Sequence, residues 1–236
     1  MIAIVSSTVA PSTLPSHDGT RTTFTPEQRL EQTRGTVASL VELGANEIFI
    51  ADNSAGGWLH GRESELAPAR VLHFDHPPIR NKGIGEMWLL LGALPSLPDG
   101  VPILKISGRY RVGKDTGLAL DEADVAAKIY AQGNRREIST RCYLLRDRAI
   151  AQGFWERTLD EIYAPQARIV GPRSFWRMIQ NSLRPGRDTF RYGDPPGSVE
   201  AAAYNAISHL GLRLRSIEHL AVEGILGSWI NPSVKE

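Results

Sequence analysis

Four short, largely apolar runs dominate the pattern of the first 110 residues. They cover residues 1–5, 47–51, 70–74 and 102–106, and polar residues follow each run. A short run that stays apolar at successive positions is typical of a strand covered on both faces, as in a parallel sheet. The pattern therefore predicts four strands of a mostly parallel sheet.

The stretch between the first two runs predicts a capped helix. Thr25 and Gln28 have the spacing of a capping box, Pro26 suits the first turn, and Gly44 is placed to end the helix. Apolar residues recur near one helical face at Leu30, Val37, Leu40 and Val41. This strand–helix–strand order predicts a right-handed crossover, and a second helix is expected after a glycine turn at residues 81–85.

The second half of the chain is less regular. Helices are predicted over residues 121–132, 146–163 and 174–183, and a further helix is capped by Ser198 and ends at Gly211. Strands are predicted over residues 137–145, 212–217 and 220–222, and residues 184–197 are expected to form a loop. Together the elements predict a single α/β domain over residues 1–236, with a Rossmann-like, mostly parallel central sheet flanked by helices.

Composition narrows the classes of function. The 236 residues have a formal net charge of +1, so charge gives no reason to expect a nucleic-acid partner. The single cysteine, Cys142, excludes an intramolecular disulfide and a cysteine-based zinc site, and it is expected to be buried. No signal peptide or transmembrane segment is predicted. A cytoplasmic location is expected, with peripheral membrane contact left open.

Polar clusters follow three of the predicted strands: Ser6-Ser7-Thr8, Asp52-Asn53-Ser54 and Ser107-Gly108-Arg109-Tyr110. In open α/β sheets, ligands bind outside the carboxyl ends of the strands. If the three strands are neighbours, the clusters converge on one rim. Asp52 is then placed to accept hydrogen bonds from a ribose or a base, and Ser6 and Thr8 to contact the same ligand. The alternative is ordinary turn chemistry, with Asp52 bonded to its own backbone.

Arg80, Lys82 and Gly83 precede or begin the second predicted helix. Backbone N–H groups at a helix start favour an anion, and the two cations would strengthen such a site. The pattern is not a P-loop, because GxxxxGK[ST] is absent, and no GxGxxG follows the first strand. The alternative is a glycine turn flanked by solvated charges.

Lys105 stands inside an otherwise apolar strand, where an unpaired ammonium is costly. An anion or a carboxylate is therefore expected beside it. Gly108 would let a ligand or a backbone segment approach closely, and Arg109 suits forked contact with a phosphate. A structural ion pair for Lys105 and a solvated Arg109 form the alternative.

In the order of segments 2–7, 48–54, 81–86 and 103–110, the chain resembles the nucleotide-binding half of GT-A glycosyltransferases. The resemblance implies a three-layer sandwich, with residues 1–115 as the nucleotide-binding half and residues 116–236 as the acceptor-side half. It also implies a nucleotide-sugar donor held by the first strand and Asp52, and a glycan or other hydroxyl acceptor. No DxD triplet occurs in the chain, and residues 105–110 stand in its place. A divalent metal is therefore not expected.

Three explanations are compatible with the absence of a DxD triplet. Arg109, Lys105 and Lys82 would neutralise the departing phosphate, or the donor carries a single phosphate, or the fold has lost activity. Asp194, Glu200, His73 and His76 are the candidate bases for an acceptor hydroxyl. Each has a plain structural alternative, such as a favourable helix-dipole contact for Glu200. Four tryptophans are candidates either for a sugar platform or for the core: Trp88, Trp155, Trp176 and Trp229.

Two other classes of protein compete with this interpretation. A nucleotidyltransferase would use a similar sheet, but the glycine- and arginine-rich loop expected after its first strand is absent. A binding or assembly protein would keep the fold without catalysis. A shared fold does not decide among the three.

Overall fold

A computed structural model describes residues 1–11, 24–75, 81–132, 135–167, 172–173, 176, 198–225 and 233–235. The strands are β1 (Ile2–Ser7), β2 (Glu47–Asp52), β3 (Arg70–His73), β4 (Ile103–Ser107), β5 (Tyr110–Val112), β6 (Val125–Gln132), β7 (Arg135–Leu145), β8 (Leu214–Ser216), β9 (Val222–Ile225) and β10 (Ser233–Lys235). The helices are α1 (Pro26–Leu43), α2 (Lys82–Ala93), α3 (Arg148–Ala167) and α4 (Val199–Leu210).

Seven strands form the central sheet, in the order β3-β2-β1-β4-β7-β6-β8. The pairs β1–β2, β1–β4, β2–β3 and β6–β8 are parallel, whereas β7 runs antiparallel to β4 and β6. Strands β10, β9 and β5 form a second, small antiparallel sheet. The predicted class is confirmed: an α/β fold with a mostly parallel central sheet.

The helices cover both faces of the central sheet. Ile4 of β1 packs with Met87 of α2, Trp155 of α3 and Ala206 of α4 in one core cluster. Val5, the next residue of β1, packs instead with Leu40 of α1 and with Val112 and Val222 of the small sheet. Neighbouring side chains of a strand point to opposite faces, so the alternation in β1 separates the two layers.

Two of the predicted helices begin and end where their caps indicate. Thr25 accepts a hydrogen bond from the Gln28 N–H while the Gln28 side chain bonds the Thr25 N–H, and Gly44 ends α1 with φ 84°. Ser198 accepts from the Ala201 N–H at the start of α4, and Gly211 ends that helix with φ 63°. These positive φ angles are easily adopted by glycine.

The helix predicted over residues 121–132 is wrong, because strand β6 occupies Val125–Gln132. Its alanine content favours a helix, but the segment pairs with β7 and β8. Val125, Ala126 and Ala127 have no exposed surface, so tertiary pairing overrides local propensity there. Asp121 has φ 46°, which is not helical. The helix predicted at 174–183 and the loop at 184–197 lie largely outside the described residues.

Among the described helices, none is long and apolar enough to cross a bilayer.

Candidate functional site at the carboxyl rim of the central sheet

The three polar clusters meet on one rim, as the sequence predicts. Strands β2, β1 and β4 are adjacent and parallel, so their carboxyl ends point the same way. Ser7 lies opposite Asp52, and Ser6 lies opposite Ser107. Ser6 and Ser7 are nearly buried at 9% and 5% exposure. The rim thus places hydroxyls from neighbouring strands side by side.

The Asp52 side chain is hydrogen-bonded to the loops that follow β1 and β2. Its carboxylate accepts from the Ser54 N–H and the Ser54 hydroxyl, both at 2.9 Å, and from the Val9 N–H at 3.4 Å. Burial raises the pKa of Asp52, and the hydrogen bonds from Ser54 and Val9 oppose that shift. The turn role that the sequence left as an alternative is therefore present.

The loops after β1 and β2 are tied together by further contacts. The Thr8 hydroxyl donates to Asn53 Oδ1 at 2.5 Å, and the Ala10 N–H donates to Ser54 Oγ at 3.0 Å. Thr8 and Asn53, both predicted to hold the ligand, are thus hydrogen-bonded to each other. Together these contacts fix the shape of the rim at β1 and β2.

Lys105 is fully buried and bonded to protein groups. Its Nζ lies 2.6 Å from Glu86 Oε1, donates to Ser107 Oγ at 3.1 Å, and donates to the Thr140 carbonyl. The expected carboxylate is therefore Glu86, and the structural ion pair is the alternative that the structure contains. Lys105 has no exposed surface for a phosphate contact.

Glu86 is the residue that sequence reasoning did not single out. The same oxygen that pairs with Lys105 accepts from the Ser6 hydroxyl at 2.5 Å and from the Ser107 hydroxyl at 3.3 Å. Its side chain is 19% exposed. A buried lysine demanded a carboxylate, but only the packing of α2 on the sheet shows which one. Glu86 thereby orients the serine hydroxyls of β1 and β4.

Gly83 serves helix packing. A Cβ on Gly83 would lie 2.6 Å from Val199 Cβ, so the starts of α2 and α4 approach closely there. The Gly83 N–H at 2.9 Å and the Ile84 N–H at 3.4 Å donate to the Asn81 side chain, which caps the helix. Lys82 is exposed at the first turn, and Arg80 lies outside the described residues.

Glu200 lies on the α2 side of the rim. Its carboxylate accepts from the Ser198 hydroxyl at 2.8 Å and from the Thr140 hydroxyl at 3.4 Å. Because the Thr140 carbonyl binds Lys105, Thr140 connects Glu200 to the Lys105–Glu86 pair. A chain of contacts through Thr140 and Lys105 therefore links Glu200 to the serine hydroxyls. The other carboxylate candidate, Asp194, lies outside the described residues.

His73 contacts groups near the sheet edge. Its Nε2 lies 3.0 Å from Glu63 Oε1, and its ring meets the His60 ring edge-on at 4.2 Å between centroids. In the parallel pairing of β2 and β3, His73 lies opposite Asp52. His76 lies outside the described residues.

Arg109 has a different environment from Lys105. Within the described ranges its guanidinium has no hydrogen bond or ion pair, and it lies 5.9 Å from the centroid of the Tyr110 ring. Gly108, just before it, contacts neighbouring segments: a Cβ there would lie 3.2 Å from Thr33 Oγ1 and 3.4 Å from the Ser6 carbonyl oxygen. The small residue thus permits close packing of α1 and β1.

The tryptophans divide between core and surface. Trp155 is fully buried, and its indole N–H donates to the Tyr143 hydroxyl at 2.8 Å. Trp88 packs partly buried against a small cluster around Ile84 and Ile162. Trp176 is 62% exposed, and Trp229 lies outside the described residues. Trp155 therefore belongs to the core.

The end of β4 does not fit the divalent metal that a DxD triplet would hold there. Ser107, Gly108 and Arg109 offer no carboxylate, and Arg109 adds a positive charge to this end of the strand. Mg²⁺ and Mn²⁺ favour carboxylate oxygens. Over the described part of the chain, no group of three or more His, Cys, Asp or Glu side chains is arranged to hold a metal ion.

Comparison with known proteins finds likeness of shape. No family model and no curated protein matches the chain. A nucleoside-diphosphate-sugar pyrophosphorylase from Vibrio cholerae RC9 is 12% identical, with 92% of this chain and 91% of that chain covered and a TM-score of 0.47. The galactosyltransferase LgtC in complex with donor and acceptor sugar analogues is 8% identical, with 88% of this chain and 70% of that chain covered and a TM-score of 0.45. CTP:phosphocholine cytidylyltransferase from Streptococcus pneumoniae is 10% identical, with 95% of this chain and 92% of that chain covered and a TM-score of 0.44.

Proposed function

We propose that the chain is a nucleotide-sugar-using transferase, and specifically a glycosyltransferase that moves a sugar to a glycan or another hydroxyl acceptor. One observation carries the proposal: Arg109, which has no hydrogen bond or ion pair in the described ranges, stands on the same rim as the serine hydroxyls that Glu86 holds. Hydroxyls suit a nucleoside, and a guanidinium suits its phosphates.

The proposed roles follow from position. The segment 6–8, with Asn53 and Ser107 beside it, contacts the nucleoside, and Asp52 keeps the loop in shape. Arg109 and the exposed Lys82 face phosphate. Lys105 acts through Glu86 as a positioning residue, because its ammonium is fully buried. Residues 1–115 supply this half of the site, and residues 116–236 supply the acceptor side.

The proposed chemistry uses side chains of the chain only. For an inverting transfer, the acceptor oxygen forms a bond to the anomeric carbon while the bond from that carbon to the phosphate oxygen breaks. The departing phosphate keeps the electron pair and is stabilised by Arg109. The acceptor proton passes to a carboxylate, for which Glu200 is the described candidate.

A binding screen tests this proposal. The melting temperature of the protein is measured with UDP-, GDP-, CMP- and dTDP-sugars, with and without Mn²⁺, because a ligand selective for the native state must raise it. At least one donor should raise the melting temperature, and Arg109→Ala should abolish most of that rise. Incubation of the responding donor with candidate acceptors should then release free nucleotide.

Other results would support the competing functions. Release of pyrophosphate from a nucleoside triphosphate and a sugar phosphate would indicate a nucleotidyltransferase. Nucleotide binding that survives both Arg109→Ala and Asp52→Ala would favour a protein without catalysis. Absence of any response to all four donor classes would overturn the proposal.

A further inference from the structure

We propose that Arg29 of α1 joins Arg109 to form a two-arginine site for a diphosphate group at the α1 side of the rim. Arg29 belongs to none of the sequence patterns above. The inference deepens the proposed function, on which it rests for the source of the diphosphate. The presence of the anion site itself can be tested separately.

The Thr33 side chain joins the two segments that carry these arginines. The Thr33 hydroxyl lies 3.0 Å from the Arg29 carbonyl oxygen and 3.0 Å from the Gly108 carbonyl oxygen. Helix α1 therefore packs directly on the turn that carries Arg109. Burial, and after it the like charge of Arg109, lower the pKa of Arg29 to about 10, while the Asp52 carboxylate opposes this shift.

Neither guanidinium has a hydrogen bond or an ion pair with a described protein group. Arg29 Nε is buried and has no hydrogen-bond partner, and neither Arg29 nor Arg109 has an ion pair with any described residue. Asp52 is the acidic neighbour of Arg29, but its oxygens already accept from Ser54 and Val9. A buried N–H donor without an acceptor is costly to keep for structure alone.

The chemistry of the pair defines the ligand. Each guanidinium offers a planar fork of N–H donors that matches two oxygens of a phosphate. Two guanidiniums on segments that contact each other match an anion with two phosphoryl groups better than an anion with a single group. A diphosphate would supply the acceptors that Arg29 Nε lacks and would remove the repulsion between the two arginines.

The test uses inorganic pyrophosphate and inorganic phosphate as probes, with binding measured by calorimetry on the full chain. The wild type should bind pyrophosphate at least about tenfold more tightly than phosphate. Arg29→Met and Arg109→Met should each weaken pyrophosphate binding about tenfold or more, the loss expected for a charged hydrogen bond. Arg29→Lys should restore part of the affinity, because it keeps the charge without the fork.

A second readout separates ligand binding from a structural role. Arg34 is the matched control, because it lies on the same helix and pairs with Glu31 and Glu65. Arg34→Met should leave pyrophosphate binding unchanged. Without ligand, Arg29→Met should melt no lower than the wild type, since it removes an unpaired buried donor. If Arg29→Met fails to fold, pyrophosphate binding by Arg109→Met and Arg29→Lys tests whether the two arginines form the site.

The outcomes are distinguishable from those of the donor screen. Pyrophosphate binding that is absent in the wild type, or unchanged in Arg29→Met, would overturn the inference even if nucleotide-sugars bind. Pyrophosphate binding that depends on Arg29 would support it even if no nucleotide-sugar binds, and the proposed transferase activity would then fail alone.

Discussion

Lys105 Nζ lies 2.6 Å from Glu86 Oε1, and this pair links the central strand β4 to helix α2 beneath the candidate site. The same carboxylate oxygen accepts from the hydroxyls of Ser6 and Ser107. The same ion pair therefore stabilises the packing of α2 on the sheet and orients the serine hydroxyls at the rim.

Removal of the ammonium should destabilise the protein. Lys105→Met leaves Glu86 partly buried without its cation, and loss of one partner of a buried pair costs about 3 kcal/mol or more. The free energy of unfolding is measured by urea titration. Glu86→Gln in the same background should recover part of the loss, as a double-mutant cycle would show. A cost below about 1 kcal/mol would mean that the pair contributes little to stability.

Two glycines of α2 should respond oppositely to alanine. Gly83→Ala brings a methyl group against Val199 and should cost about 1–3 kcal/mol, as overpacking does. Gly85→Ala meets no atom within 4 Å, so the better helix propensity of alanine should stabilise the protein by about 0.5–1 kcal/mol. Thermal unfolding of both variants measures the contrast. A stabilising Gly83→Ala would contradict the close approach of α2 and α4.

The single cysteine should be unreactive in the native protein. Cys142 is fully buried, and burial raises the pKa of its thiol to about 12. The reacting species is the thiolate, so a thiol reagent at pH 8 should label native protein far more slowly than protein unfolded in urea. Because there is no other cysteine, the signal has no background. Equal rates in the two states would place Cys142 at the surface.

Asp124 should make stability depend on acid pH. Hydrogen bonds from the Arg213 N–H, first, and from the Arg213 and Arg146 side chains lower the pKa of this carboxyl. A lowered pKa in the folded state gives stabilisation that is present above the unfolded value of about 3.9 and is lost as pH falls through the folded value. Asp124→Asn should therefore be less stable than the wild type at pH 7.

Urea titrations at pH 7 and at about pH 3 measure this difference, which should shrink at the lower pH. Glu122→Gln is the matched control, because the Glu122 side chain is 96% exposed and its contact with Arg213 is 3.8 Å. It should change stability little at either pH. A difference for Asp124→Asn that stays constant with pH would exclude the carboxylate charge as its cause.

The first half of the chain was predictable because its signals are local. Continuous apolar runs mark β1 and β2, and the capping pattern of Thr25 and Gln28 places the start of α1. The helix predicted over residues 121–132 was wrong because the structure of this segment depends on non-local pairing. Its alanines favour a helix in isolation, but they are small enough to be buried in β6 between two other strands.

The candidate site was predictable as a place but not as a set of contacts. Polar residues at strand ends identify a rim, and a lysine in an apolar strand calls for a carboxylate. That Lys105 pairs with Glu86, and that Asp52 is bonded within its own loops, could not be obtained from residue types alone. Arg29 gave no signal at all, since it is one of several charged residues on an amphipathic helix.

By itself, the sequence determined the order of strands and helices in the first half and the side of the sheet on which polar groups collect. Only the tertiary structure decided that Lys105 meets Glu86, and that the segment of Arg29 contacts the turn before Arg109. The physical reason is that propensity and capping act within a few residues, whereas ion pairs depend on strand order and helix packing. The Thr33–Gly108 hydrogen bond, for example, joins groups 75 residues apart.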